Sequence, residues 1–118
     1  MIRLFLYPLA IIKNWWVNPP IQVLEKMSND ESSAVRYYVA RRPNCPISSL
    51  EKLANDEDSY VRSYVAKHSN CPVSSLEKLA NDEDWYVRYC VEEHPNCPQY
   101  LKDFIKVKNF ISRYESYT

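Results

Sequence analysis

The 118-residue chain contains no glycine. Phosphate-cradling loops, dinucleotide fingerprints, nucleophile elbows and EF-hand loops all need a residue that tolerates positive φ or admits a close backbone approach, so those enzyme classes are excluded at the outset. Turns must use proline and asparagine instead, and asparagine is the next best occupant of a left-handed helix-ending position. An excess of charge of one sign is also missing: 15 lysines and arginines face 15 aspartates and glutamates. The whole-molecule field therefore gives no reason to expect a nucleic acid or an anionic membrane as partner, and neutrality points to protein partners. Long hydrophobic runs are absent as well. The N-terminal stretch MIRLFLYPLAIIKNWWV is interrupted by Lys13 and Asn14 and falls short of the ~20 apolar residues that a membrane span needs. No small-x-small cleavage site follows it, which makes it a poor signal peptide. The expectation is a single cytoplasmic domain whose four cysteines stay reduced.

What the chain does have is a repeat. A shift of 26 residues aligns NPPIQVLEKMSNDESSAVRYYVARRP (18–43) with NCPISSLEKLANDEDSYVRSYVAKHS (44–69) and NCPVSSLEKLANDEDWYVRYCVEEHP (70–95), and a fourth NCP opens the segment 96–118. Three units are about the minimum at which stacked repeats bury a continuous core. Each unit reads as two short helices. Pro46, Pro72 and Pro98 suit the first helical position, with Cys45, Cys71 and Cys97 before them as N-caps. Leu50, Leu53 and Ala54 form an i, i+3, i+4 stripe. The acidic run 55–58 ends the first helix and supplies Asp58 as cap of the second, where a carboxylate meets the positive end of the helix dipole. The second helix carries Val61, Tyr64, Val65 and His68 on one face.

The pattern NCPxSSLEKLANDEDxYVRxxVA resembles the variant leucine-rich repeats and the broader HEAT-like α-solenoids over residues 18–98. The resemblance implies an all-α, right-handed solenoid of two-helix repeats. It also implies an internal ladder in which Asp30, Asp56 and Asp82 hydrogen-bond Arg36, Arg62 and Arg88 of the same or a neighbouring unit. Relatives of this kind serve mostly as protein-binding scaffolds, a few bind DNA, and some variant-repeat proteins carry an iron–sulfur cluster in a separate cysteine-rich segment that has no counterpart here.

The segment flanking the repeats on one side, residues 1–17, is an apolar extension or cap containing Trp15 and Trp16. It is expected to dock a partner or to form a homodimer. On the other side, 96–118 reads as one longer capping helix with Tyr100, Phe104, Val107, Ile111 and Tyr114 on the face that packs on the last unit, and Lys102, Lys106, Asn109 and Arg113 facing water.

Two H-x-x-C pairs, His68/Cys71 and His94/Cys97, supply zinc-type ligands. Equivalent residues of stacked helices nevertheless lie roughly 8–10 Å apart, too far to share one ion at ~2.3 Å bonds. No metal or cofactor is expected; the residual alternative is a lone metal between His94 and Cys71. Catalysis is not expected either, because the Asp and Arg recur identically in every unit, whereas a catalytic constellation breaks repeat symmetry. Departures from the repeat carry more information. On a helical wheel the pole opposite Val61 and Val65 bears Ser59, Ser63 and Lys67, with Ser33, Tyr37 and Arg41 in the first unit and Trp85, Tyr89 and Glu93 in the third. Tyr37, Arg41, Lys67, Trp85 and Tyr89 are the expected interface residues, joined by Trp15 and Trp16. Unit charges drift from +1 to −1 to −4 along this surface. The reading is a non-enzymatic protein-binding scaffold or adaptor. The alternative is a HEAT-like nucleic-acid-binding module using Arg36, Arg41, Arg42, Lys67 and Tyr37.

Overall fold

The computed structural model of the protein describes residues 19–117. The apolar segment 1–17, with Trp15 and Trp16, lies outside the described residues. Seven helices follow one another: α1 (Ile21–Met27), α2 (Ser33–Ala40), α3 (Ile47–Leu53), α4 (Ser59–Lys67), α5 (Val73–Ala80), α6 (Trp85–Glu92) and α7 (Gln99–Glu115). The fold is an α-solenoid of helical repeats, a slab measuring 55 × 28 × 17 Å. Helices α1, α3 and α5 are the first helices of the three units and α2, α4 and α6 the second; α7 stands where a fourth first helix would.

Helices of seven to nine residues are too short to persist alone in water, so packing must hold them. Leu24, Leu50 and Leu76, one per unit, are fully buried, as are Val61 and Val87 and the set Val39, Val65 and Val91. These residues form one continuous core with Leu53, Leu79, Leu101 and Ile105. The second helices lie closer to one another than the first helices do, which makes the second-helix face the tighter side of the solenoid.

Three details differ from the sequence expectation. Pro46, Pro72 and Pro98 are N-caps rather than first helical residues. Their ψ angles of 150°, 153° and 152° are extended, and their carbonyls accept from Leu50, Leu76 and Lys102. The cysteines thus sit one position before the cap, each thiol directed at the following proline carbonyl, 3.7 Å away for Cys45 and Cys71 and 3.6 Å for Cys97. Asparagine does not supply a left-handed turn: among the described residues none has positive φ. The first helices of units one and two end on right-handed caps, and Asn29 and Asn55 send their amides back to the carbonyls of Glu25 and Glu51, so a side chain replaces the left-handed residue. Thirdly, α7 buries Leu101 and Ile105, while Tyr100, Phe104, Val107, Ile111 and Tyr114 are exposed. The face expected to pack on the last unit is therefore outside, because α7 keeps the register of the first helices: Leu101 and Ile105 occupy the places of the buried Ser75 and Leu79.

Polar contacts recurring at the repeat period tie the units together. Arg36 grips Asp56 with two nitrogens (Nε to Oδ2 2.7 Å, Nη2 to Oδ1 3.2 Å) and donates a third bond to the Asp30 carbonyl at 2.8 Å. Arg62 does the same to Asp82 (2.7 and 3.1 Å) and the Asp56 carbonyl (2.7 Å). Each arginine thus bonds the backbone of its own unit and the carboxylate of the next. Arg88 has no fourth aspartate; Asn109 of α7 accepts from its Nε at 3.0 Å. The aspartates also shape the chain locally, since Asp56 Oδ1 accepts from the Asp58 amide and Asp58 Oδ1 from the Tyr60 amide, the Asx turn and N-cap that start the second helix.

Candidate functional site

The histidines of the H-x-x-C pairs belong to this inter-unit bonding. The Nδ1 of His68 and of His94 accepts from the amide two residues on, of Asn70 and Asn96, at 3.0 Å in both. That leaves Nε2 as the protonated nitrogen, and it donates 26 residues back, to the Arg42 carbonyl at 2.7 Å and the His68 carbonyl at 2.8 Å. Both ring nitrogens are used, so neither histidine offers a lone pair to a metal without breaking the stack. Burial pushes the thiols of Cys45 and Cys71 up to about 12, which disfavours the thiolate that a metal or an electrophile requires. Among the described residues no group of three or more His, Cys, Asp or Glu side chains could hold a metal ion.

The surface that departs from the repeat lies on the second helices. Tyr37 of α2 meets Tyr64 of α4 edge-on, with ring centroids 4.7 Å apart. The Arg41 guanidinium covers both rings at 5.5 and 5.6 Å. The Lys67 ammonium lies 4.4 Å from the centre of Tyr64 and 5.1 Å from that of Tyr86 on α6. Its hydrogen bond with Tyr86 raises the Lys67 pKa, so the side chain stays charged. Tyr86 continues to Trp85 (5.8 Å, edge-on) and to Tyr89 (6.1 Å, stacked). The result is a strip of alternating rings and cations crossing three units. Rings held by neighbours lose little freedom when a ligand covers them, and cations over π faces are already positioned.

Two open grooves flank the strip. One, about 330 Å³, lies at the C-terminal ends of α2 and α4 and is lined by Ala40, Arg41, Pro43, Tyr64, Lys67, His68 and Ser69, with no carboxylate. The other, about 370 Å³, lies at the N-terminal ends of α4 and α6, between Ser59, Tyr60, Ser63, Asp84, Trp85 and Tyr86.

Arg41, Lys67, Trp85 and Tyr89 are exposed here, and Tyr37 is half-buried beneath Arg41. Ser63, expected on the outward pole, is completely buried and donates to the Tyr60 carbonyl at 2.7 Å; the close approach of neighbouring second helices covers that side of α4. Tyr64 and Tyr86 link the strip, yet the wheel placed Tyr64 with the core valines and gave Tyr86 no role. Their signal was the cation one turn along, Lys67 after Tyr64 and its neighbour in the next unit. Arg36, counted among candidate phosphate ligands, is committed to Asp56, and its pKa is raised by that hydrogen bond. Arg42 stacks on Tyr38 at 4.4 Å.

A family model described as leucine rich repeat variant matches residues 34–58, from α2 to the N-cap of α4. Over that stretch the chain is similar to a leucine-rich repeat variant. The match covers about one period of the variant repeat, and the internal 26-residue identity carries the pattern to both sides. No curated protein and no solved structure matches the chain. No helix among the described residues is long and apolar enough to cross a membrane.

Proposed function

We propose that the protein is a non-enzymatic interaction scaffold that holds an extended acidic segment of another protein across its second helices. One observation carries this reading: Arg41 and Lys67 are both held over tyrosine rings in an open groove to which the chain contributes no carboxylate. The countercharge then comes from a ligand. The position equivalent to Arg41 and Lys67 in the third unit is Glu93, the C-cap of α6. A carboxylate there opposes the negative end of the helix dipole, so helix stability does not account for its choice. Adjacent packed helices lie about 8–10 Å apart, and three residues of extended peptide span about 10 Å. The strip therefore fits an acid, a second acid three residues on and a base three residues beyond that, with apolar side chains reaching Trp85 and Tyr86.

The ring-and-cation strip also has the ingredients of a single-strand nucleic-acid platform. Against that stand the commitment of Arg36 to Asp56 and the −4 charge of the third unit. Fluorescence anisotropy with a labelled Glu-x-x-Glu-x-x-Lys peptide tests the proposal. Each of Arg41→Ala and Lys67→Ala is expected to weaken binding by about tenfold, roughly 1.4 kcal/mol. An oligonucleotide that binds tighter than the peptide, with a steep salt dependence, would refute the peptide reading.

A further inference from the structure

Helix α7 breaks the repeat on a face where all three units agree. The outward positions of the first helices are Gln22, Lys26 and Asn29 in unit one, Ser48, Lys52 and Asn55 in unit two, and Ser74, Lys78 and Asn81 in unit three, all exposed. The same register in α7 reads Tyr100, Phe104 and Val107, and the helix continues this row with Ile111 and Tyr114. All five are exposed, Tyr114 at 65% and Val107 at 58%. Where the first helices of the units stop at Asn-Asp-Glu, this segment runs on as a 17-residue helix, about 25 Å long at 1.5 Å per residue. From Phe110 to Tyr117 every residue is exposed, so the last turns stand clear of the body with an apolar stripe on them. Tyr100 donates its hydroxyl to Glu77 of α5; neither burial nor the repeat explains the other four.

A further repeat unit is not the partner that fits. The side of α7 facing where the next unit would pack holds Lys102 and Lys106, in the places of the buried Leu76 and Ala80, and that side is polar. The apolar row lies elsewhere, and its 4-3-4-3 spacing is that of a two-stranded coiled-coil seam, whose average is 3.5 residues. With Phe104 and Ile111 at a and Tyr100, Val107 and Tyr114 at d, Asp103 falls at g and Lys108 at e. In a parallel pair, g of one helix meets the following e of the other. Asp103 therefore meets Lys108 of the second copy, twice by symmetry. Lys108 sits beside the body and Asp103 away from it, so the two solenoid bodies fall on opposite sides of the pair.

We infer that α7 is a dimerisation helix, pairing in parallel with α7 of a second copy of this chain through Tyr100, Phe104, Val107, Ile111 and Tyr114. Sedimentation equilibrium of the full chain is expected to give a concentration-dependent mass rising from 14.0 kDa towards twice that value. The double variant Phe104→Lys with Ile111→Lys should remain at the monomer mass with an unchanged helical circular dichroism spectrum, since both side chains are exposed. Asp103→Lys should weaken the dimer by about tenfold, and adding Lys108→Asp to it should restore the affinity. A Tyr114→Cys chain, with the cysteine at a d position, should oxidise to a disulfide-linked dimer if the helices are parallel. A monomer at the highest attainable concentration, a dimer indifferent to the Phe104/Ile111 variant, or a monomer that instead binds phospholipid vesicles through these residues would each overturn the inference. The peptide-binding strip lies on the second helices, so its failure and the failure of this interface are separately observable.

Discussion

Units two and three have first halves that differ only in Ile47 against Val73, and they diverge in the second. Residues 48–58 repeat without change at 74–84, whereas SYVRSYVAK of α4 becomes WYVRYCVEE over α6 and its C-cap. The positions that do not change across the second helices are the buried valines, the ladder arginine and the tyrosine at 60 and 86. Those that change, Ser59 to Trp85, Ser63 to Tyr89, Tyr64 to Cys90, Ala66 to Glu92 and Lys67 to Glu93, include much of the ring-and-cation strip. The lesson is that the first helices and their turn build the solenoid, while the second helices hold the core with a few fixed residues and leave the other positions free to differ between units.

The comparison can be broken hardest at a residue both units share. Arg62→Ala leaves Asp82 shielded and unpaired, and breaking a buried pair of this kind costs roughly 3–5 kcal/mol. Urea denaturation should register that loss, and a midpoint close to wild type would mean that the ladder does not join the units. Grafting third-unit residues into the second unit sharpens the contrast. Ser63→Tyr forces a ring into a fully buried site and should cost roughly 1–3 kcal/mol by overpacking. Ser59→Trp, on the rim of the groove, should stay within about 0.5 kcal/mol. If the two grafts cost the same, the assignment of one position to the packed side and the other to the open side is wrong. A further effect is alkaline. Cys45 and Cys71 have their thiol pKa raised from 9.0 to about 12 by burial. The folded state therefore holds protons that the unfolded state releases, and this contribution to stability is intact below pH 9 and lost as pH rises towards 12. Unfolding midpoints between pH 8 and pH 11 should fall, and Cys71→Ala should flatten the slope.

Much of the fold was legible because a 26-residue period repeats every structural decision. The leucine stripe, the acidic turn with Asp58 and Asp84 as caps, and the two helices per unit all follow from local chemistry stated more than once. The strip was only partly legible. A wheel drawn for α4 alone assigns Tyr64 to the core and Ser63 to water, since the contact with its neighbours in the row of second helices is not written in one helix. Helix α7 misled for a related reason: its wheel has an apolar face, but amphipathicity does not say which face meets the body. Aligning Pro98 with Pro72 would have shown that Leu101 and Ile105, not Phe104 and Val107, hold the inward register.

Lys67→Glu tests most directly the proposal that the second-helix strip holds an acidic peptide, because it gives the second unit the residue that the third already carries. Anisotropy titration with the Glu-x-x-Glu-x-x-Lys peptide should show at least a tenfold loss of affinity, with a thermal midpoint lowered only by the cost of a carboxylate at the helix C-terminus, about 1 kcal/mol, and partial recovery when the second glutamate of the peptide is replaced by lysine. Equal affinity of both chains for both peptides would contradict the account.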